Sequence, residues 1–185
     1  MTTNKKLVIA VVVLAITLCC VVGGTLAWLY DVTGTLTNTF TYGDININLT
    51  EGQDLDLQMV PGKVITKDPV VEVEPGSEAC YLFLKVEESA AVKDYLTYEL
   101  YDFWTALPGV DGVYYMEISA EDAENGVSFD VIVDNEVFVS ESVDKAMMQD
   151  VAADPELVQL SFTAYAVQKD NVETVTEAWA IANGG

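Results

Sequence analysis

Strict alternation near the amino terminus is the feature that most constrains the fold. In residues 33–42, TGTLTNTFTY, threonine fills every odd position. A period of two predicts a β-strand, because successive side chains of a strand point to opposite faces of the sheet. In residues 45–49 the apolar side chains occupy the odd positions instead. A single flat strand cannot change phase without exposing its buried face, so we expect a bulge or break at residues 42–44 and two consecutive strands.

Similar runs continue along the chain. Strands are predicted over residues 55–60, 63–66, 69–75, 79–87, 113–119 and 157–167. In the run 79–87 both alternate sets are largely apolar. We therefore expect a long core strand with Cys80, Leu82, Leu84 and Val86 on one face and with Tyr81, Phe83 and Lys85 on the other.

Three regions should depart from plain strands. Asp134-Asn135 separates residues 127–133 from 136–139 and predicts a hairpin turn. The aromatic run 95–104, YLTYELYDFW, fits an extended segment, and a helix is also open there. Short helices are predicted over residues 144–152 and after Asn171, a suitable N-cap. Together these elements predict an all-β fold, an antiparallel jelly-roll β-sandwich with two short helices.

Charge and composition exclude several functions. The 185 residues include 30 acids and eight lysines, so the formal charge is −22. Such a chain would be repelled by nucleic acid and by anionic membrane surfaces. Histidine is missing, which removes the commonest general base and the commonest zinc ligand. We therefore predict no catalytic residues, no metal ligands and no cofactor; scattered acids leave weak calcium binding open, although none has EF-hand spacing.

The first 27 residues have the form of a secretory leader. Lys5 and Lys6 precede a 16-residue apolar run at 7–22, which is short for a membrane span. Thr25-Leu26-Ala27 provides small residues at the −3 and −1 positions, so we expect cleavage between Ala27 and Trp28. Two alternatives are a retained anchor and a lipoprotein signal. After cleavage Cys80 is the one remaining cysteine, and without an activating base we expect a buried strand residue.

The predicted organisation has three parts: a signal peptide at 1–27, an N-terminal donor-strand segment at 28–42 and a jelly-roll domain at 43–185. The segment from Val32 to Gly43 contains no charged residue. Its strand can lie on its own domain or add to the sheet edge of a neighbour. The candidate assembly residues are the apolar side chains of Trp28, Leu29, Tyr30, Leu36, Phe40 and Tyr42.

Four motifs in order resemble the TasA/camelysin family. They are GGTLAWLYD at 23–31, FTYGDININL at 40–49, MVPGKVITKD at 59–68 and LSFTAYAVQ at 160–168. The resemblance implies a secreted protein of a Gram-positive-type bacterium, processed by a SipW-type signal peptidase and touching the membrane only through its leader before cleavage. It also implies a jelly-roll subunit of extracellular biofilm-matrix fibres, located in the matrix or at the cell surface.

In such fibres the N-terminal segment of one subunit completes a sheet of the next, which gives a head-to-tail homopolymer. An accessory matrix protein is a further expected partner. Some family members carry a metallopeptidase label, which this histidine-free sequence does not support. The alternative function is a monomeric cell-surface binding module, either a calcium-dependent adhesin or a carbohydrate binder; an acid-based hydrolase or metallopeptidase is the weakest candidate.

Overall fold

The computed structural model describes residues 36–38, 45–51 and 59–184, with the backbone alone for 36–38 and 155. Its strands are β1 Leu36–Asn38, β2 Ile47–Thr50, β3 Val64–Thr66, β4 Val70–Val73, β5 Cys80–Glu88, β6 Leu96–Thr97, β7 Thr105–Ala106, β8 Val113–Ile118, β9 Val127–Asp130, β10 Glu136–Val139 and β11 Leu160–Gln168. Its α-helices are α1 Val92–Tyr95, α2 Ala120–Asn125, α3 Lys145–Ala153 and α4 Val175–Ala182. Across these described ranges, no helix is long and apolar enough to cross a membrane.

The strands form three sheets. A five-stranded sheet has the order β1-β11-β5-β8-β7, and two three-stranded sheets have the orders β3-β10-β6 and β2-β4-β9. The prediction of a β-rich, antiparallel fold is confirmed, since every strand pair among the described residues except β1–β11 is antiparallel. The expectation of two helices is wrong, because the described residues contain four.

Strand β5 divides the interior into two apolar clusters. Cys80, Leu82 and Leu84 point into the main core, while Tyr81 and Phe83 point into a smaller one. Helix α4 covers the smaller cluster and packs the ring of Trp179 5.3 Å from that of Phe83. The predicted assignment of alternate side chains to opposite faces of this strand is therefore confirmed for residues 80–84. The apolar face of residues 45–49 is confirmed too, since Ile45, Ile47 and Leu49 are buried.

The predicted hairpin at Asp134-Asn135 is wrong. Both residues do have positive φ, but β9 pairs with β4 whereas β10 pairs with β3 and β6. Val131 and Ile132 are both fully buried between these strands. Two consecutive buried residues break the alternation of a strand, and here they mark the place where the chain passes from one sheet to another.

The remaining differences between the predicted and the observed elements are local. The aromatic run 95–104 is neither one strand nor one helix: it begins at the end of α1 and contains β6. Helix α3 was predicted over residues 144–152 and spans Lys145–Ala153 with Asp144 as its N-cap. Helix α4 is capped by Thr174 and not by Asn171. Asn171 instead has φ +65° in the preceding turn. The expected break at 42–44 and most of the strand expected at 55–60 lie outside the described residues.

Candidate functional site

The candidate site is the edge of the five-stranded sheet at which β1 lies. Leu36 belongs to β1, which pairs in parallel with β11. The other predicted assembly residues, Trp28, Leu29, Tyr30, Phe40 and Tyr42, lie outside the described residues, as does the predicted cleavage site at Ala27. The structure thus places one of these residues and does not bear on the rest.

The contact between β1 and β11 has a defined register. Leu36, Thr37 and Asn38 lie opposite Phe162, Thr163 and Ala164. All three β11 residues are buried, and the other side of β11 pairs with β5 along its whole length. β11 is therefore a firmly held strand whose second edge is taken by a three-residue N-terminal strand. An edge of this kind offers backbone N–H and C=O groups to any extended segment that matches it.

An ion pair lies inside the domain next to this edge. The Lys67 ammonium lies 2.6 Å from a carboxylate oxygen of Glu51, and the two side chains are only 8% and 10% exposed. The same ammonium lies 5.7 Å from the centre of the Phe162 ring, which is within cation–π range. Phe162 is the residue opposite Leu36. The ion pair therefore links the MVPGKVITKD motif to the strand that carries β1.

Sequence reasoning missed Lys67 and Glu51. The backbone N–H of Lys67 donates to the carbonyl of Asn135 at 2.9 Å, so the lysine extends the line of β3 into the interior. One signal was available in the sequence: Lys67 lies in the motif MVPGKVITKD, in a chain with 30 acids and eight lysines. A lysine in such a chain is expected to find a carboxylate, but its burial depends on tertiary packing that no local pattern encodes.

Cys80 is buried in β5, as predicted. Burial raises the pKa of its thiol to about 12, and the nearby Lys169 ammonium offsets only part of this. A thiol with such a pKa is protonated at neutral pH, whereas a nucleophilic cysteine needs a thiolate.

The candidate metal ligands among the described residues are too far apart to form a site. In the part of the chain that the structure describes, no three His, Cys, Asp or Glu side chains lie close enough to hold a metal ion. The described residues thus do not fit a catalytic metal. What the arrangement provides is a sheet edge and a strand that pairs with it.

Comparison with known proteins connects the chain to one family. The family model described as camelysin metallo-endopeptidase matches residues 2–93, about half of the chain. The matched part runs from residue 2 through β5 into the start of α1 and includes β1, Glu51 and Lys67. No curated protein and no solved structure matches the chain. The chain belongs to the camelysin/TasA family.

Proposed function

We propose that this protein is a secreted structural subunit that polymerises into extracellular biofilm-matrix fibres by donating its N-terminal strand to the next subunit. The observation that carries the proposal is the pairing of β1 with the edge of β11. A terminal strand on a sheet edge can be exchanged between copies, because the same contacts form within one chain or between two. Exchange from head to tail gives a filament unless the chain of subunits closes into a ring.

Charge supports the same route of assembly. Two copies with a formal charge of −22 each repel one another. The segment 32–43 has no charged residue, so it can approach a neighbour at a lower electrostatic cost than most other parts of the chain. The apolar side chains Trp28, Leu29, Tyr30, Phe40 and Tyr42 would add buried surface on either side of β1.

Processing would control when assembly begins. Before cleavage the segment 28–42 follows directly on the leader, which holds it at the membrane. A SipW-type peptidase that cuts after Ala27 would release Trp28 as the new N-terminus and free the strand. The mature subunit would then act outside the cell, with an accessory matrix protein as a further partner, and without catalytic activity or a resident cofactor.

Electron microscopy of three purified chains tests this proposal. A chain that starts at Trp28 should form filaments in negative stain, and a chain that starts at Gly43 should stay monomeric. A chain that starts at Thr33 keeps β1 and lacks the first five mature residues, so it separates the role of the strand from that of its apolar anchors. Equal behaviour of the Trp28 and Gly43 chains would refute strand donation.

A second candidate is a monomeric surface binding module that uses calcium or carbohydrate. The pairing of β1 with β11 of the same chain favours it, because a monomer needs one such contact to close the sheet edge. Calcium would then raise the melting temperature without changing the mass in solution. Filaments with no response to calcium would favour the structural subunit.

A further inference from the structure

Two surface cavities adjoin each other beside β6. The first has a volume of about 590 Å³ and is lined by the seven consecutive residues 96–102, by Trp104, and by Glu88, Lys93 and Tyr114. The second has a volume of about 460 Å³ and extends over β10 as far as Glu141. The two share the wall Thr97–Glu99. We call them together the acidic groove.

The lining of the groove combines negative charge with aromatic rings. The acids that line it are Glu88, Glu99, Asp102, Asp134, Glu136 and Glu141. Among the described lining residues the single cation is Lys93. The aromatic residues are Tyr98, Tyr101, Trp104, Tyr114 and Phe138. Carboxylates attract a cation, and ring faces stabilise an ammonium together with its aliphatic stem.

One corner of the groove already holds a lysine ammonium from this chain. Lys93 places its ammonium 3.5 Å from Glu88, although the lysine side chain is 82% exposed. The other oxygen of Glu88 accepts a hydrogen bond from the hydroxyl of Tyr98 at 2.6 Å. This hydrogen bond fixes the carboxylate beside a tyrosine ring. The corner therefore illustrates the chemistry that the remaining carboxylates offer to an incoming alkylammonium group.

The backbone beside the groove favours an extended occupant. β6 is an edge strand of the sheet β3-β10-β6. On one side, residues 95–101 form hydrogen bonds with residues 131–140. The Tyr101 N–H donates to the Val131 carbonyl, and the Ser140 N–H donates to the Tyr95 carbonyl. The first cavity lies between this segment and Glu88 and Tyr114 of the five-stranded sheet. An extended peptide there could pair with the edge strand, as in strand addition.

Charge favours a basic peptide over a second copy of this chain as the occupant of the groove. The segment 32–43 carries no cation and is flanked by Asp31 and Asp44, so the acidic groove would gain no charge pairing from it and would repel its ends. The whole chain has only eight lysines against 30 acids. A basic partner protein fits the groove better than another subunit does.

We propose that the acidic groove binds a lysine-rich, extended segment of a partner protein. The lysine ammonium groups pair with Glu99, Asp102 and the acids of the second cavity, while their aliphatic stems lie against the tyrosine rings. Residues 96–141, which supply most of the groove, lie beyond the region that the family model matches. The groove is also separate from the β11 edge, so its binding activity does not depend on strand exchange.

Calorimetric titration of the secreted chain with a pentalysine peptide tests the proposal. A chain this acidic attracts any polycation weakly, so the control must change the same charge elsewhere. The groove variant is Glu99→Gln with Asp102→Asn, and the matched control is Glu121→Gln with Glu124→Gln in α2. We expect one saturable site, about tenfold weaker in the groove variant and changed by less than about twofold in the control. Tyr101→Leu, which keeps the charge, should weaken binding by about threefold.

Three results would overturn the proposal. Equal weakening in the groove and control variants would mean that the peptide responds only to net charge. Tighter binding of spermine than of pentalysine would identify a free polyamine as the occupant. Binding of a neutral oligosaccharide that the peptide cannot displace would assign the aromatic rings to a sugar. Filament formation by the groove variant is measured in parallel, so a failure of assembly and a failure of the groove remain distinguishable.

Discussion

Loss of the buried ion pair between Lys67 and Glu51 should lower the free energy of unfolding by an amount that follows from the geometry of the pair. At an N–O distance of 2.6 Å and an effective dielectric constant of 20, the Coulomb attraction is about 6 kcal/mol, and desolvation of both ions offsets much of it. Lys67→Met removes the attraction and leaves the Glu51 carboxylate about nine-tenths buried. We expect a loss of about 3 kcal/mol in the free energy of unfolding.

A double-mutant cycle separates this coupling from lost packing. Glu51→Gln should cost a similar amount, whereas the double variant should cost clearly less than the sum, because neither charge is then left alone. Urea unfolding of the four chains gives the energies, and a loss of about 3 kcal/mol corresponds to a drop of roughly 6–12 °C in melting temperature. Additive costs, or a neutral Lys67→Met, would refute the assignment of a coupled buried pair.

Three further predictions concern the scaffold. Gly112→Ala should destabilise the chain by about 2 kcal/mol or more in urea unfolding, because φ is +71° and a Cβ would lie 2.7 Å from the Val86 carbonyl oxygen. Asp144→Ala should cost about 1 kcal/mol, since its side chain caps α3 by accepting from the Met147 N–H; thermal melting measures this. Cys80, whose pKa is raised from 9.0 to about 12, should resist alkylation at pH 8 until urea is added.

The sign of the Cys80 effect on stability follows from the direction of its shift. Well below pH 9 the thiol is protonated in both states and contributes no pH dependence. Between pH 9 and about 12 the unfolded chain loses this proton while the folded chain keeps it, so stability should fall as the pH rises. A Cys80→Ala variant should lack this component of the slope, and an unchanged slope would contradict it.

The sequence allows the strands to be predicted where local pattern and burial agree. Alternation assigned both faces of β5 correctly, because Leu82 and Phe83 are each buried against a different cluster. It failed at Asp134-Asn135, where the turn is real but the flanking strands belong to different sheets. Partner choice between strands depends on contacts distant in sequence, and turn chemistry fixes only the local backbone.

The same limit on prediction from local pattern applies to the candidate sites. An uncharged alternating segment indicates a strand that can pair within its own chain or with a neighbouring chain. In the structure, β1 from this segment pairs with β11. The burial of Lys67 and the meeting of Glu88 with Tyr98 depend on residues 10 or more positions apart. Such pairings come from packing, so composition indicates acidic surface without indicating where acids and rings converge.

The central claim is that β1 crosses from one subunit to the next, and a disulfide trap tests it most directly. Thr37 and Thr163 lie opposite one another in the β1–β11 register, so Thr37→Cys with Thr163→Cys places two thiols on the proposed junction. After oxidation of assembled protein, the account predicts a ladder of covalent oligomers on a non-reducing gel that collapses on reduction. A single band at the mass of one chain, with both new thiols oxidised, would mean that β1 stays on its own domain and would contradict the account.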